Sequence, residues 1–133
     1  MDRGRNMDRA LIALGALFGC LGTAAAAAAT HVTGSDSGLG TAANFLLFHA
    51  PALMAVPLLA RAALVHAGIA RAGGWIVFVG VALFSGELAL RALEGRTLFP
   101  MAAPTGGTLV LAGWLALALS ALLPAGRGRG PAS

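Results

Sequence analysis

The stretch FSGELALRALEGR, residues 84–96, places two opposite charges, Glu87 and Arg91, four residues apart in otherwise apolar sequence. In a helix these two side chains share one face and can form an ion pair. Ionisable groups within apolar helices often serve transport or proton relay. The same pair can also pin a helix end at the membrane edge, because arginine extends its charged group toward the headgroups. Which of the two applies depends on the elements that carry the pair.

The composition is that of an integral membrane protein. Of the 133 residues, 58% are hydrophobic and only 11% are charged, and the mean hydropathy is +0.83. A soluble domain carries about 25% charged residues. The apolar residues also lie in blocks rather than at amphipathic intervals. We therefore expect residues 1–133 to form a single domain embedded in the lipid bilayer.

Four apolar blocks predict four transmembrane helices, at about residues 10–30, 41–65, 74–93 and 101–123. No block alternates as a half-buried strand does, and backbone groups in lipid must pair within their own segment. The first block is long enough to cross a bilayer of about 30 Å at about 1.5 Å per residue. The sequence therefore predicts an all-α, four-helix transmembrane bundle.

The N-terminal segment allows two other interpretations. MDRGR, an apolar core and TAAAAAAT follow the pattern of a cleaved secretory signal, but the apolar block is longer than an ordinary signal core. Cys20 in LFGC could mark a lipidation site. Against lipidation, Phe18 stands where a small residue is usual, and the chain stays apolar after Cys20. A retained first helix is the interpretation we favour.

The arginines predict the orientation of the bundle. Cytoplasmic flanks of membrane proteins are rich in basic residues. Seven of the nine arginines lie at the two termini or beside the loop after helix two: Arg3, Arg5, Arg9, Arg61, Arg71, Arg127 and Arg129. Both termini and that loop are therefore expected in the cytoplasm. Because these arginines lie in termini and short loops rather than along one face, nucleic acid is not an expected partner.

This topology brings polar residues from all four helices to the outer third of the bundle. The members of this outer polar cluster are His31, His49, Glu87, Arg91 and Thr105. From the helical rise, His49 lies about 10 to 12 Å deep and Glu87 about 9 Å deep. The cluster can be a structural polar pin or a site that handles protons or a ligand. No metal site is predicted, because the ligand types lie on three helices without short spacing.

Small residues predict close helix packing. Gly15 and Gly19, followed by Thr23 and Ala27, recur at four-residue steps on helix one. Such rows let helix backbones approach where no hydrophobic drive acts between helices. We expect helix one to be the central packing element. The sequence has neither a phosphate-cradling loop nor a nucleophile-and-base arrangement, so no enzyme, catalytic residue or cofactor is predicted.

Four segments together resemble a known family. They are GALFGCLGTAAAAAATH, FLLFHAPALM, GVALFSGELAL and APTGGTLVLAGW, in order over about residues 10–123. The sequence resembles the small YgdD-like membrane proteins, catalogued as domain of unknown function 423. The resemblance implies a four-helix protein of the bacterial inner membrane whose first helix is retained.

The resemblance also maps residues onto the family's recurring positions, which are His31, His49, Ser85, Gly86, Pro104, Gly106, Gly107, Gly113 and Trp114. Gly86, Gly106 and Gly107 are expected, with the glycines of helix one, to serve helix packing. Val32 and Glu87 depart from the family pattern, in which glycine and serine are usual. Glu87 is therefore less suited to the role of an ancestral proton carrier. The family supplies no established activity.

Two classes of function follow. The first is a non-enzymatic structural or accessory membrane protein, packed against a larger membrane complex. The short loops and the small-residue helix faces favour this class. The second is a small transporter or proton-linked channel that uses the outer polar cluster. Four helices are few for a transport path, so this second class requires a homo-oligomer.

Overall fold

A computed structural model describes residues 2–33 and 38–126. Four α-helices form the fold: α1 (Asp2–Ala28), α2 (Gly38–Arg61), α3 (Ala67–Glu94) and α4 (Ala102–Leu122). Each is long and apolar enough to cross a membrane, and the described part of the chain contains no strand. The predicted all-α bundle of four membrane-spanning helices is confirmed. The orientation of the termini stays a prediction, and Arg127 and Arg129 lie outside the described residues.

Helices α1, α2 and α3 all begin earlier than the apolar blocks indicate, α1 and α3 by about two turns. The basic flank before residue 10 is helical from Asp2, whose carboxylate accepts a hydrogen bond from Arg5 at 2.8 Å. Helix α3 begins at Ala67 because His66 caps it, its Nδ1 accepting the backbone N–H of Ile69 at 3.4 Å. Apolar patterning identifies the part of a helix in lipid and misses such polar first turns.

Helices α2 and α3 form the middle of the bundle, with α1 packed mainly on α2 and α4 packed mainly on α3. The prediction that helix one is central is wrong. The glycines of its small-residue rows face only one neighbouring helix, α2. A Cβ added at Gly15 would lie 2.8 Å from the carbonyl oxygen of Ala50 in α2. Leu17 and Leu21, on other faces of α1, are about half exposed.

Glycines set the close approach of α3 and α4. A Cβ added at Gly80 would lie 2.7 Å from the carbonyl oxygen of Gly106, and one at Gly113 would lie 2.9 Å from that of Gly73. The two pairs recur at seven-residue spacing on both helices. An added Cβ at Gly80 or Gly113 would also meet a valine methyl group of the facing helix, but backbone atoms lie within 2.7 Å and 2.9 Å of it, so side-chain rotation alone cannot make room for a larger residue. The two backbones therefore approach as closely as small residues allow.

The two ends of the bundle differ in charge. We call the end that holds Asp2, Arg61 and the start of α3 the basic end; its described charged residues are five arginines and two aspartates, a net charge of +3. At the opposite end, two arginines and two glutamates of α3 and the following loop sum to zero. Buried carboxylates are held at both ends, with the apolar core between them. His49 lies inside this core at the middle of α2, so its predicted position in the outer third of the bundle is wrong.

Candidate functional site

Glu87 is held by the end of its own helix and the loop that follows. Its side chain is 2% exposed, and its Oε1 accepts a hydrogen bond from Nη2 of Arg91 at 2.7 Å. The other oxygen, Oε2, accepts the backbone N–H of Leu98 at 2.7 Å. Arg91 itself is 65% exposed, so its guanidinium reaches the surface. The carboxylate therefore fastens the α3–α4 loop onto the last turns of α3.

His49 connects α2 to α4. The residue is 7% exposed, and its Nδ1 lies 2.7 Å from the carbonyl oxygen of Phe45. A carbonyl can only accept, so Nδ1 carries the proton and Nε2 is an acceptor. Nε2 accepts the indole N–H of Trp114 at 3.2 Å. Both ring nitrogens are therefore hydrogen-bonded, and the ring packs against Phe45, which in turn packs against Phe84.

The predicted outer polar cluster thus divides into two separate groups. Glu87 and Arg91 bind each other, and His49 binds Trp114, which the resemblance had placed among the family's recurring positions. His31 is exposed in the π-helical turn Ala29–Thr33 that ends the first helix, and Thr105 is exposed in the first turn of α4. Over residues 2–33 and 38–126, no group of three His, Cys, Asp or Glu side chains is arranged to hold a metal ion.

The predicted packing glycines differ in how closely they are approached. Gly106 is the tightest, since an added Cβ would lie 2.6 Å from the backbone nitrogen of Phe84. Added Cβ atoms at Gly19, Gly86 and Gly107 would lie at 3.8, 3.6 and 3.9 Å from their nearest neighbours, which are ordinary van der Waals distances. Close helix contact therefore falls on Gly15 and Gly106 among the five predicted positions.

A third polar group, at the basic end, escaped the sequence reasoning. Asp8 is 1% exposed and joins three helices. Its Oδ1 accepts Nε of Arg71 at 2.7 Å, and its Oδ2 accepts Nη2 of Arg71 at 3.0 Å and Nε of Arg61 at 3.3 Å. We call these three residues the Asp8 cluster. It ties the start of α1 to the end of α2 and the second turn of α3.

A signal for the Asp8 cluster was present in the sequence. Asp8 is an acidic residue in an otherwise basic flank, directly before an apolar block. The predicted topology put it at the same membrane face as Arg61 and Arg71. The orientation argument assumed that Arg61 and Arg71 are solvated. A carboxylate buried at the depth of Asp8 needs a charged or hydrogen-bonding partner, and these two arginines supply it.

An apolar cavity of about 460 Å³ opens between α1, α2 and α3 toward the opposite end. Its wall includes Phe18, Leu46, Ala82 and Ser85 and carries no charged side chain. The hydroxyl of Ser85 has no hydrogen-bond partner among the described residues. Such a wall suits hydrocarbon and offers no acid, base or nucleophile arrangement for chemistry.

Four apolar helices, with polar side chains held inward at both ends, define a multi-pass membrane protein. The family model described as protein of unknown function (DUF423) matches residues 21–107. The chain belongs to this family, as its resemblance to domain of unknown function 423 predicted.

The relatives are bacterial membrane proteins. A UPF0382 membrane protein of Haemophilus influenzae is 35% identical over 118 residues, covering 86% of this chain and 92% of its own length. One from Staphylococcus haemolyticus is 33% identical over 79 residues, covering 59% of this chain and 62% of that protein. The UPF0382 membrane protein YwdK of Bacillus subtilis is 28% identical over 82 residues, covering 62% of this chain and 66% of its own length. No solved structure matches the chain.

Proposed function

We propose that the protein is a non-enzymatic structural or accessory membrane protein, whose buried polar groups hold its helices and ends in place. One observation carries the proposal. The buried ionisable side chains of the described residues are Asp8, His49 and Glu87, and each binds partners within the chain. Polar contacts of this kind fix the arrangement of helices in membrane bundles.

A proton path makes different demands on these side chains. A relay group must exchange its proton with water or with a neighbouring relay group. Both nitrogens of His49 and both carboxylate oxygens of Glu87 are engaged, and the two residues share no partner. Transport through this pair requires both sets of bonds to open, which favours the structural role over the transporter or channel alternative.

The outward faces suit an accessory role. On α4, Leu111, Leu115 and Leu122 are 69%, 72% and 83% exposed. Apolar residues exposed along a membrane helix face lipid or the helices of another membrane protein. A small bundle without a soluble domain in its described part can pack against a larger complex through such a face.

Two measurements test the proposal. Native mass spectrometry of the protein, taken from its own membranes in lipid discs, is expected to give a defined heteromeric mass. Reconstituted vesicles are expected to show no proton leak above protein-free vesicles. A leak that the double variant His49→Ala with Glu87→Ala abolishes, in a protein that remains folded, would replace the proposal with the channel alternative. A homo-oligomeric mass accompanied by such a leak would also favour the channel.

A further inference from the structure

We propose that the Asp8 cluster binds the phosphate of an anionic phospholipid headgroup at the basic end. The site is independent of whether the protein is an accessory subunit, because it consists of residues of this chain alone. The chemistry that recognises the ligand is a pair of guanidinium groups held side by side, which matches the oxygens of a phosphate.

The geometry leaves the cluster with excess positive charge. Asp8 Oδ2 accepts from both Arg61 and Arg71, at 3.3 and 3.0 Å, so two guanidinium groups converge on one carboxylate oxygen. Two positive charges against one negative charge leave a net charge of +1 at the cluster. A second anion beside the two guanidinium groups would complete the neutralisation.

Arg61 has the donors to bind that anion. It uses only Nε toward Asp8, and its two terminal nitrogens make no hydrogen bond within residues 2–33 and 38–126. Its side chain is 55% exposed, whereas that of Arg71 is 26% exposed. The carboxylate thus orients the arginine fork while the outer edge of the fork stays accessible. An arginine held in this way loses less side-chain entropy when it binds a phosphate.

The position fits a lipid phosphate. Asp8 lies just before the first apolar block, Arg61 is the last residue of α2 and Arg71 lies in the second turn of α3. Asp8 and its arginines therefore lie at the level where the apolar spans end and headgroups begin. The net charge of +3 at this end, which includes the +1 of the cluster, also attracts anionic lipids, and each basic residue near the surface contributes about 1 kcal/mol.

The test compares phosphatidylglycerol with phosphatidylcholine in binding to the detergent-purified protein, read by native mass spectrometry and by the shift of the unfolding midpoint. We expect wild type to retain phosphatidylglycerol preferentially. Arg61→Gln is expected to weaken its binding about fivefold, from the contribution of one basic residue at the surface. The matched control is Arg96→Gln at the opposite end, where Arg96 is 77% exposed, and it is expected to leave binding unchanged.

Arg61→Lys is the second variant, and it also serves if Arg61→Gln does not fold. It keeps the charge beside Asp8 but loses the planar fork, so binding is expected to weaken about two- to threefold. The proposal is overturned if the Arg61 variants bind as wild type does, or if Arg96→Gln weakens binding equally. The last measurement uses inorganic phosphate in place of the lipid. If phosphate raises the unfolding midpoint as much as phosphatidylglycerol does at matched concentration, the site binds the free ion instead of a lipid.

Discussion

Gly106→Ala tests whether backbone contact between α3 and α4 holds the bundle together. The added Cβ would lie 2.6 Å from the backbone nitrogen of Phe84 and 2.7 Å from the carbonyl oxygen of Gly80. Both neighbours are backbone atoms of α3, so the methyl group can be accommodated only if the two helices separate. Gly107→Ala is the matched control one residue away, where the nearest atom to the added Cβ is 3.9 Å away in the ring of Phe84.

The magnitude follows from the distance. Moving the Cβ from 2.6 Å to an ordinary contact near 3.4 Å requires a separation of about 0.8 Å. A gap of that size forfeits a quarter to a half of the dispersion attraction of each affected contact. Overpacking of this kind costs about 1–3 kcal/mol, and alanine returns up to about 1 kcal/mol in helix propensity. We expect Gly106→Ala to lower the free energy of unfolding by about 1–2 kcal/mol, and Gly107→Ala to be neutral or slightly more stable.

The assay is reversible unfolding in mixed detergent micelles titrated with sodium dodecyl sulfate, followed by fluorescence of Trp75 and Trp114. The expected order of stability is Gly107→Ala, then wild type, then Gly106→Ala. The reasoning is refuted if Gly106→Ala unfolds at the midpoint of wild type or later. It is also refuted if the two alanine variants lose stability equally, because the cost would then not depend on the backbone contact.

Three further predictions concern the polar groups, in the same unfolding assay. Asp8→Asn is expected to lower the free energy of unfolding by about 2 kcal/mol, less than for a fully buried pair because its arginines are partly exposed; an unchanged midpoint would mean that the Asp8 cluster does not stabilise the bundle. A double-mutant cycle of His49→Ala and Trp114→Phe should give a coupling near 0.6 kcal/mol, and zero coupling would mean that the hydrogen bond contributes nothing. Glu87→Gln should lower the midpoint while Glu94→Gln, in an exposed pair, leaves it unchanged; equal effects would argue against the loop attachment.

The membrane-spanning parts of the fold were predictable because their cause is local. A bilayer requires runs of apolar residues with backbone hydrogen bonds made inside the segment, and both features can be read along the chain. The polar first turns were not predictable in this way. The start of α3 at Ala67 depends on a cap by His66, and the second turn of α1 holds Asp8, whose arginine partners are distant in sequence.

The candidate sites differ in the same way, because some of their contacts are local in sequence and others are not. The pair of Glu87 with Arg91 was predictable because both residues lie on one helix at a spacing of four. The bond between His49 and Trp114 spans 65 residues. Topology placed His49 in the outer third, whereas it lies at the middle of α2, and it could not give the rotation of His49 about the helix axis. That rotation decides whether the ring faces α4 or Glu87.

The distribution of polar bonds explains how so apolar a chain can adopt one arrangement of helices. Apolar faces pack in lipid with little preference for register, because lipid and neighbouring helices are similarly apolar. Asp8 fixes the basic ends of α1, α2 and α3 relative to one another, and His49 fixes α2 against α4. Glycine contacts set the distance between α3 and α4, while the polar bonds set register. Loss of a polar bond should therefore relax the arrangement of helices, and loss of a glycine contact should separate α3 from α4.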